Sequence, residues 1–361
     1  MGNLSRLNAG FFFGWFVYRF RTRDSQSLKT GSTPVPTKTQ LMIGTVIAGT
    51  NNFFSVECQD GVLRSCSIKG KKIKTEIDFY NPLAPGDSVE VEADSLSDDK
   101  GQIISLLERK NLFLRWNVKG QKPQILAANL DYLILVTTPE EPPFRPRFID
   151  RCLIQAEEQK IEPIILINKF DLPAASDPDF VARVQNWEEL GYSVQKVSAK
   201  TGEGLMDLVE LLRDKRSAFV GQSGVGKSSL INRLNNDVIL KTGSLSKKYG
   251  RGAHTTTKGS LLNINLNEAF TGGLQGLKAQ IIDTPGIRRF MLNEIPADNV
   301  ALYFREFKPL LGQCKFGASC SHTNEPGCKI LEAVYSGVIS EDRYESYKNI
   351  TEEIKTGTWR D

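Results

Sequence analysis

The octapeptide Gly221–Ser228 (GQSGVGKS) carries residues that could hold a row of phosphates. Its glycines Gly221, Gly224 and Gly226 let consecutive backbone amides turn inward, Lys227 can reach the outer phosphates and the Ser228 hydroxyl can ligate magnesium. Gln222, Ser223, Val225 and Ser229 complete the segment that would wrap the nucleotide. Upstream, Asn168-Lys169-Phe170-Asp171 offers a carboxylate, Asp171, that can accept hydrogen bonds from the ring NH and the 2-amino group of guanine. Adenine presents neither donor and would leave that acid unpaired, which is a large penalty for the wrong base. Asn168 supports the motif, and the stem of Lys169 can lie along the base plane. In Ser198-Ala199-Lys200 the Ala199 amide is available to the guanine 6-carbonyl. Downstream, Asp283-Thr284-Pro285-Gly286 supplies an acid for the magnesium shell and, at Gly286, an amide for the terminal phosphate.

These residues describe GTP and GDP binding with Mg2+ and a hydrolytic reaction. Ile287 stands where many GTPases place a glutamine that orients water, and an aliphatic side chain cannot do that. One of the two histidines, His254, heads the cluster Thr255-Thr256-Thr257 in a glycine-rich segment suited to a first switch. It is the candidate for positioning the attacking water, the competing reading being a histidine facing solvent or RNA. Thr256 is assigned to magnesium by position, beside Ser228 and Asp283. The catalytic set is therefore Lys227, His254, Thr256, Asp283 and Gly286.

The order of the motifs is as informative as their content. The base-reading stretch precedes the phosphate loop, whereas in ordinary GTPases the phosphate loop leads. A circularly permuted GTPase domain follows from that order.

A second cluster is formed by Cys314, Cys320, His322 and Cys328 in a C-x5-C-x-H-x5-C pattern among glycines and a proline. Three thiolates and an imidazole at short spacing match a closed tetrahedral zinc site, one Zn2+ with no position left for water. A disulfide framework is the alternative. A chain of this length with nucleotide motifs belongs in a reducing compartment, where such clusters more often bind metal.

The elements that must position these groups are legible as runs of apolar residues. Ile164–Ile167, Ser217–Val220 and Ala279–Ile282 read as strands buried on both faces, each delivering a motif at its carboxyl end. Ser229–Leu234 has helical spacing, which puts phosphate at a helix N-terminus. Asn129–Val136 reads as the first strand of the same sheet, and Phe148, Cys152, Leu153 and Ala156 mark one face of the helix after it. Alternating strands and helices imply a mainly parallel α/β sheet. Before it, Gly44–Ile47, Phe53–Cys58 and Ser88–Val91 are short alternating runs between Gly, Pro and Asp turns, the pattern of a small antiparallel β-barrel, with an oligonucleotide-binding barrel as the natural form. The expected organisation is multidomain: an extension over 1–40, an OB-like barrel over 41–112, a P-loop GTPase domain over 116–291, and a mostly helical zinc-binding domain over 292–361 that includes a helix over Ser340–Lys355.

The 361 residues, 40% hydrophobic and 24% charged, have an ordinary soluble composition with room for a large core. The formal charge is only +4, but cations are bunched in stretches without acids: Arg64 to Lys74, Arg109 to Lys122, and Val238 to Asn267. Such patches suit a phosphate-rich partner larger than a nucleotide, although any one of them could be a solvated loop. Phe11–Tyr18 is too short to span a bilayer and is followed by Arg19, Arg21 and Arg23. Residues 1–40 could be a plastid-targeting peptide, an upstream start or a basic arm.

Over roughly residues 41–361 the chain resembles the RsgA or YjeQ family of GTPases that depend on the small ribosomal subunit. The likeness rests on the permuted order, GQSGVGKSSLIN, the His254-Thr255-Thr256 segment, DTPG followed by a hydrophobic residue, and the Cys314 to Cys328 pattern. Weaker family-like stretches are Cys66–Lys72, Ala127–Asp131 and Pro163–Leu172. The resemblance implies a three-part, monomeric cytoplasmic protein that binds the small ribosomal subunit and its rRNA late in assembly, without a membrane. It also implies weak GTP hydrolysis that the subunit stimulates and that is coupled to release. Two other classes stay open: a regulatory GTPase acting on a protein partner, and an RNA-binding module with a relict nucleotide site.

Overall fold

The structure, a computed structural model, describes residues 41–50, 52–70, 73, 77–235, 259–284, 287, 290–292 and 295–359. The expectations placed on residues 1–40, His254, Thr256 and Gly286 lie outside them.

The first five strands, β1 Leu41–Thr50, β2 Phe53–Cys58, β3 Leu63–Ile68, β4 Ser88–Ala93 and β5 Lys100–Leu106, close a barrel in the order β1-β2-β3-β5-β4. That is the Greek-key order of an oligonucleotide-binding barrel. Alternation along the strands aims Val46, Phe54, Val56, Cys66, Val89, Val91 and Ile103 into its core. Most neighbours run antiparallel, but β3 pairs with β5 in parallel, a detail that alternation alone does not encode.

An antiparallel hairpin follows, β6 Leu112–Asn117 and β7 Lys122–Ala128, which belongs to neither the barrel nor the main sheet. The sequence reading places no element there. Then come β8 Tyr132–Thr137, α1 Pro146–Glu158, β9 Glu162–Ile167, α2 Pro178–Glu189, β10 Ser193–Lys196, α3 Leu205–Leu212, β11 Arg216–Gly221, α4 Lys227–Leu234, β12 Ser260–Asn265 and β13 Lys278–Asp283. The six strands form one sheet in the order β10-β9-β8-β11-β13-β12, parallel except for the β12–β13 pair. The first strand starts later than the apolar run suggests, because Asn129 takes a left-handed conformation (φ 57) and the Leu130 amide is held by Asn111 at 2.8 Å.

Side chains alternate between two cores. Leu133 and Leu135 face α1 and α2, whereas Ile134 and Val136 face α3 and α4. Crossovers β8→β9→β10 run outward on one side of β8, and β11 and β13 lie on the other. The strand order therefore reverses between β8 and β11, the switch point where α/β sheets bind ligands at the carboxyl ends of strands.

The barrel is locked to this sheet by a polar joint. Gly86, at φ +93, brings its backbone so near Ala128 that a Cβ would sit 2.2 Å from that carbonyl. Its own carbonyl accepts from Asn129 Nδ2 and from Arg216 Nη1, both at 2.9 Å. Asp87, fully buried, is gripped by Arg109 Nε at 2.7 Å and Nη2 at 2.8 Å.

The C-terminal region, with α5 Lys329–Tyr335 and α6 Glu341–Thr356, does not enclose a separate core. Cys314, Cys328, Ile330, Tyr344, Tyr347 and Ile350 share one buried cluster with Phe148, Ile149 and Leu153 of α1. A buried ionic network crosses the same boundary. Asp150 of α1, with no exposure, receives Arg183 of α2, Arg343 Nη1 of α6 at 2.5 Å and Trp187 Nε1 at 3.3 Å. Arg343 also donates to Glu306 at 2.7 Å, and Arg151 to Glu353 at 2.7 Å.

Burial alone would raise the Asp150 carboxyl, yet the Arg183 and Arg343 guanidiniums hold it below the ordinary carboxylate range. A depressed pKa means that the anion stabilises the fold fully above about pH 4, its unfolded value, and loses that contribution as pH falls through the lower folded value. Asp150→Asn is therefore expected to cost about 3 kcal/mol at neutral pH, because two guanidiniums lose a buried partner. The urea midpoint of the variant should lie well below that of the parent at pH 7, with the gap closing in acid. Equal midpoints at pH 7 would mean that the network contributes nothing.

Candidate functional site

The carboxyl ends of β9, β11 and β13 and the loop after β10 meet at one edge of the sheet and carry the sequence motifs there. β11 runs into the glycine-rich loop, and Gly224 and Gly226 both take φ 92, which hands the chain to α4. Gly226 is also confined by a neighbour: a Cβ would stand 2.2 Å from Asn168 Nδ2. That approach is what brings two motifs together. Asn168, buried at the end of β9, donates from Nδ2 to the Val225 carbonyl at 2.8 Å and accepts at Oδ1 from the Ala199 amide at 3.1 Å. One amide side chain thus ties the base-reading stretch, the phosphate loop and the Ser198-Ala199-Lys200 loop into a single cleft. The sequence reading gives Asn168 only a supporting part. Its reach into the phosphate loop has no local signature, since donor and acceptor are 57 residues apart.

Asp171 is set by its neighbours. Ser198 Oγ donates to its Oδ1 at 2.7 Å, and Lys200 Nζ lies 3.8 Å from Oδ2. The Ser198 hydroxyl foremost holds the carboxyl below its usual value, so it stands ionised as a two-oxygen acceptor. Ser198 itself is oriented by the Thr201 amide at 3.0 Å. Lys169, at φ 59, sends its ammonium to the Glu141 carbonyl.

The phosphate end holds two desolvated groups of opposite charge. Lys227, buried at the start of α4, donates to two carbonyls of its own loop, Gly221 at 2.8 Å and Gln222 at 3.0 Å. Burial pushes its ammonium down to about 8. Asp283, at the end of β13, is pushed up to about 6 by burial, and its Oδ1 is buried without a hydrogen-bond partner among the described residues. A desolvated cation and a desolvated acid side by side fit a ligand that brings phosphate to the one and a divalent cation to the other. Thr284 and Ile287 fasten the next stretch to β11. Thr284 Oγ1 donates to Phe219 O at 2.7 Å and the Ile287 amide to Gly221 O at 3.2 Å, so anything that moves the phosphate loop is felt downstream. Ile287 is buried and faces no water.

The four residues of the cysteine cluster come together. Its four ligand atoms lie within 4.8 Å of one another. His322 Nδ1 stands 3.6 Å from both Cys314 Sγ and Cys328 Sγ, which are 3.9 Å apart. Zinc with bonds of about 2.3 Å to sulfur and about 2.0 Å to nitrogen has tetrahedral edges of roughly 3.5–3.8 Å, so the four residues fit that ion. Burial pushes the Cys320 thiol up to about 12, and a bound cation would reverse this by stabilising the thiolate. Neighbouring groups support the cluster: the Lys329 amide points at Cys314 Sγ from 3.4 Å, and Tyr344 and Tyr347 hydroxyls hold the His322 and Ser321 carbonyls at 2.8 and 3.0 Å.

Comparison with known proteins agrees in family and in fold. The RsgA GTPase family model matches residues 106–293. The small ribosomal subunit biogenesis GTPase RsgA of Borreliella burgdorferi is 38% identical over 311 residues, covering 86% of this chain and 95% of that one. YjeQ from Thermotoga maritima superposes with a TM-score of 0.65 at 32% identity, covering 89% of this chain and all of its own. YloQ, described as a circularly permuted GTPase, gives 0.60 at 26% identity, with 91% of this chain covered.

Proposed function

The chain belongs to the RsgA family of circularly permuted GTPases, and from that premise we propose that its GTP hydrolysis serves assembly of the small ribosomal subunit, which it binds through rRNA and leaves on hydrolysis. The observation that carries this reading is the Asn168 bridge, which joins the Asn168–Asp171 stretch, the Gly221–Ser228 loop and the Ser198–Lys200 loop despite the permuted order. In that cleft Asp171 accepts from the guanine edge and the loop Gly221–Ser229 wraps the phosphates. Ser198, Ala199 and Lys200 frame the base, and Lys227 meets the outer phosphates. Ser228, Thr256 and Asp283 would hold Mg2+, which screens the phosphate charge. Water attacks the terminal phosphorus, the bond to the bridging oxygen breaks, and GDP and inorganic phosphate leave. His254 orients the water, and the Gly286 amide faces the terminal phosphate. One Zn2+ is held by Cys314, Cys320, His322 and Cys328 as a structural ion. The protein works as a cytoplasmic monomer. Among the described residues no helix is long and apolar enough to cross a membrane.

GTP turnover measured with and without purified small subunits, at two salt concentrations, tests the reading. Stimulation that weakens with salt is expected, because contacts to a phosphate backbone release counterions. Stimulation by a protein alone would shift the reading to a regulatory GTPase, and no turnover at all to a relict nucleotide site.

Base selection has its own test. Asp171→Asn should lower guanine affinity and favour xanthine nucleotides, whose 2-oxo group accepts from an amide. A change of about 10²-fold or more in the ratio is expected, since the wrong base leaves a polar group unpaired. Competition binding with GDP and XDP reads it directly, and an unchanged preference would remove Asp171 from the base contact.

A further inference from the structure

The β6–β7 hairpin has two unlike faces. Leu114 and Ile125 pack with Ala84, Phe79 and Leu112 on one side. The register puts Arg115 opposite Gln124 and Asn117 opposite Lys122 on the other. Here the half-buried Arg115 donates from Nε and Nη2 to a single neutral oxygen, Gln124 Oε1, at 3.1 Å each. Asn117 Nδ2 donates to the same oxygen at 3.0 Å. Gln124 is itself buried. Among the described residues no carboxylate pairs with Arg115, and burial pushes its guanidinium below the ordinary arginine value. The contrast with other buried arginines is sharp: Arg151 has Glu353, Arg183 and Arg343 share Asp150, and Arg64 has Asp60. A desolvated guanidinium that is oriented but not neutralised is a site built for an anion.

We propose that Arg115, aimed by Gln124 and Asn117, grips a phosphate of an RNA backbone. Two of the five guanidinium N–H groups are engaged by Gln124, which leaves the others for the forked contact that phosphate favours. The rest of the hairpin suits RNA better than an acidic peptide. Lys119 stands exposed at its turn, where it can reach a second phosphate, and Tyr80, 47% exposed, lies against Gly120 beside it. The site also adjoins the chain leaving the GTP cleft. The Trp116 amide donates to Met291 O at 3.1 Å, and Phe113 stacks on Phe290 with centroids 5.3 Å apart. The inference rests on the ribosomal reading only for the natural source of the RNA.

The test is binding of a short fluorescent RNA duplex to the full chain over a range of salt. Arg115→Gln is expected to weaken binding roughly 3- to 10-fold at low salt and to lower the slope of log affinity against log salt by about 1, with GTP affinity and melting temperature unchanged. Arg115→Lys, which keeps the charge, should keep the slope and lose part of the affinity. An unchanged slope in Arg115→Gln overturns the proposal, as does a fall in melting temperature without a change in RNA binding, which would make Arg115 a structural partner of Gln124. Loss of small-subunit stimulation with RNA binding intact would point to an acidic protein and also overturn it. If the parent is not stimulated by small subunits but the slope still falls, the ribosomal reading fails and the phosphate site stands.

Discussion

Cys320→Ala is expected to release the zinc ion and to lower the stability of the whole folded unit, not of a detachable C-terminal piece. Closed zinc sites contribute folding free energy outright, about 10–16 kcal/mol apparent in isolated zinc fingers at neutral pH. Losing even a fraction of that is comparable to the roughly 5–15 kcal/mol that holds an ordinary domain together. A separate zinc-binding domain over 292–361, as the sequence organisation has it, would spare the GTP-binding part. The shared core argues otherwise, because Cys314, Cys320 and Cys328 lie in the same buried cluster as Phe148, Leu153 and Trp187. Loosening the metal knot uncovers one side of α1 and exposes the Asp150–Arg343 pair to water. We expect zinc content to fall from one ion per chain towards none, and the melting temperature to fall by about 10 °C or more, at about 2–4 °C per kcal/mol for domains of this size. A variant with equal zinc content would remove Cys320 from the ligand set. A full loss of zinc with no change in melting would instead sever the metal site from the core.

Lys227→Ala should be the most damaging change for turnover. The ammonium is buried at the mouth of α4 and donates to the carbonyls of Gly221 and Gln222, bonds that a phosphate ligand can replace with a charge-assisted contact. Removing it deletes the positive charge that would offset charge developing between the transferred and leaving phosphates. Loss of one such donor typically costs about 10²–10³ in kcat. The folded state should tolerate the change, since a desolvated cation is removed and not created. Single-turnover GTP hydrolysis, run beside a melting curve, separates the two effects. Turnover within a few-fold of the parent would show that the catalytic charge comes from elsewhere. A collapse in melting temperature would show that Lys227 acts on the fold.

Much of the cleft is written locally. The glycine spacing, the lysine and the serine of GQSGVGKS specify a loop that can turn its amides inward wherever it is placed. Apolar runs of strand length mark β9, β11 and β13, because strands buried on both faces have no room for polar side chains. The cysteine pattern is equally local: its ligands fall within one short stretch, so their chemistry is visible before any fold is known. Asp150, Arg183, Arg343 and Arg115 show the reverse. In a linear reading the first three belong to ordinary charged stretches and Arg115 to an acid-free one, and nothing in their spacing marks them as desolvated. Arg343 and Asp150 are 193 residues apart and Arg151 and Glu353 are 202 apart, separations that no periodicity bridges.

What the sequence determined by itself was the inventory: which backbone could cradle phosphate, which acid could select guanine, which thiols could hold a metal, and the permuted order in which they come. The tertiary structure alone decided their convergence. β11 lies between β8 and β13, Asn168 reaches Val225, and α6 presses on α1. The physical reason is one of range. Turn geometry and side-chain alternation act over a few residues and can be read in order, whereas burial and ion pairing depend on which distant surfaces the packed core brings face to face.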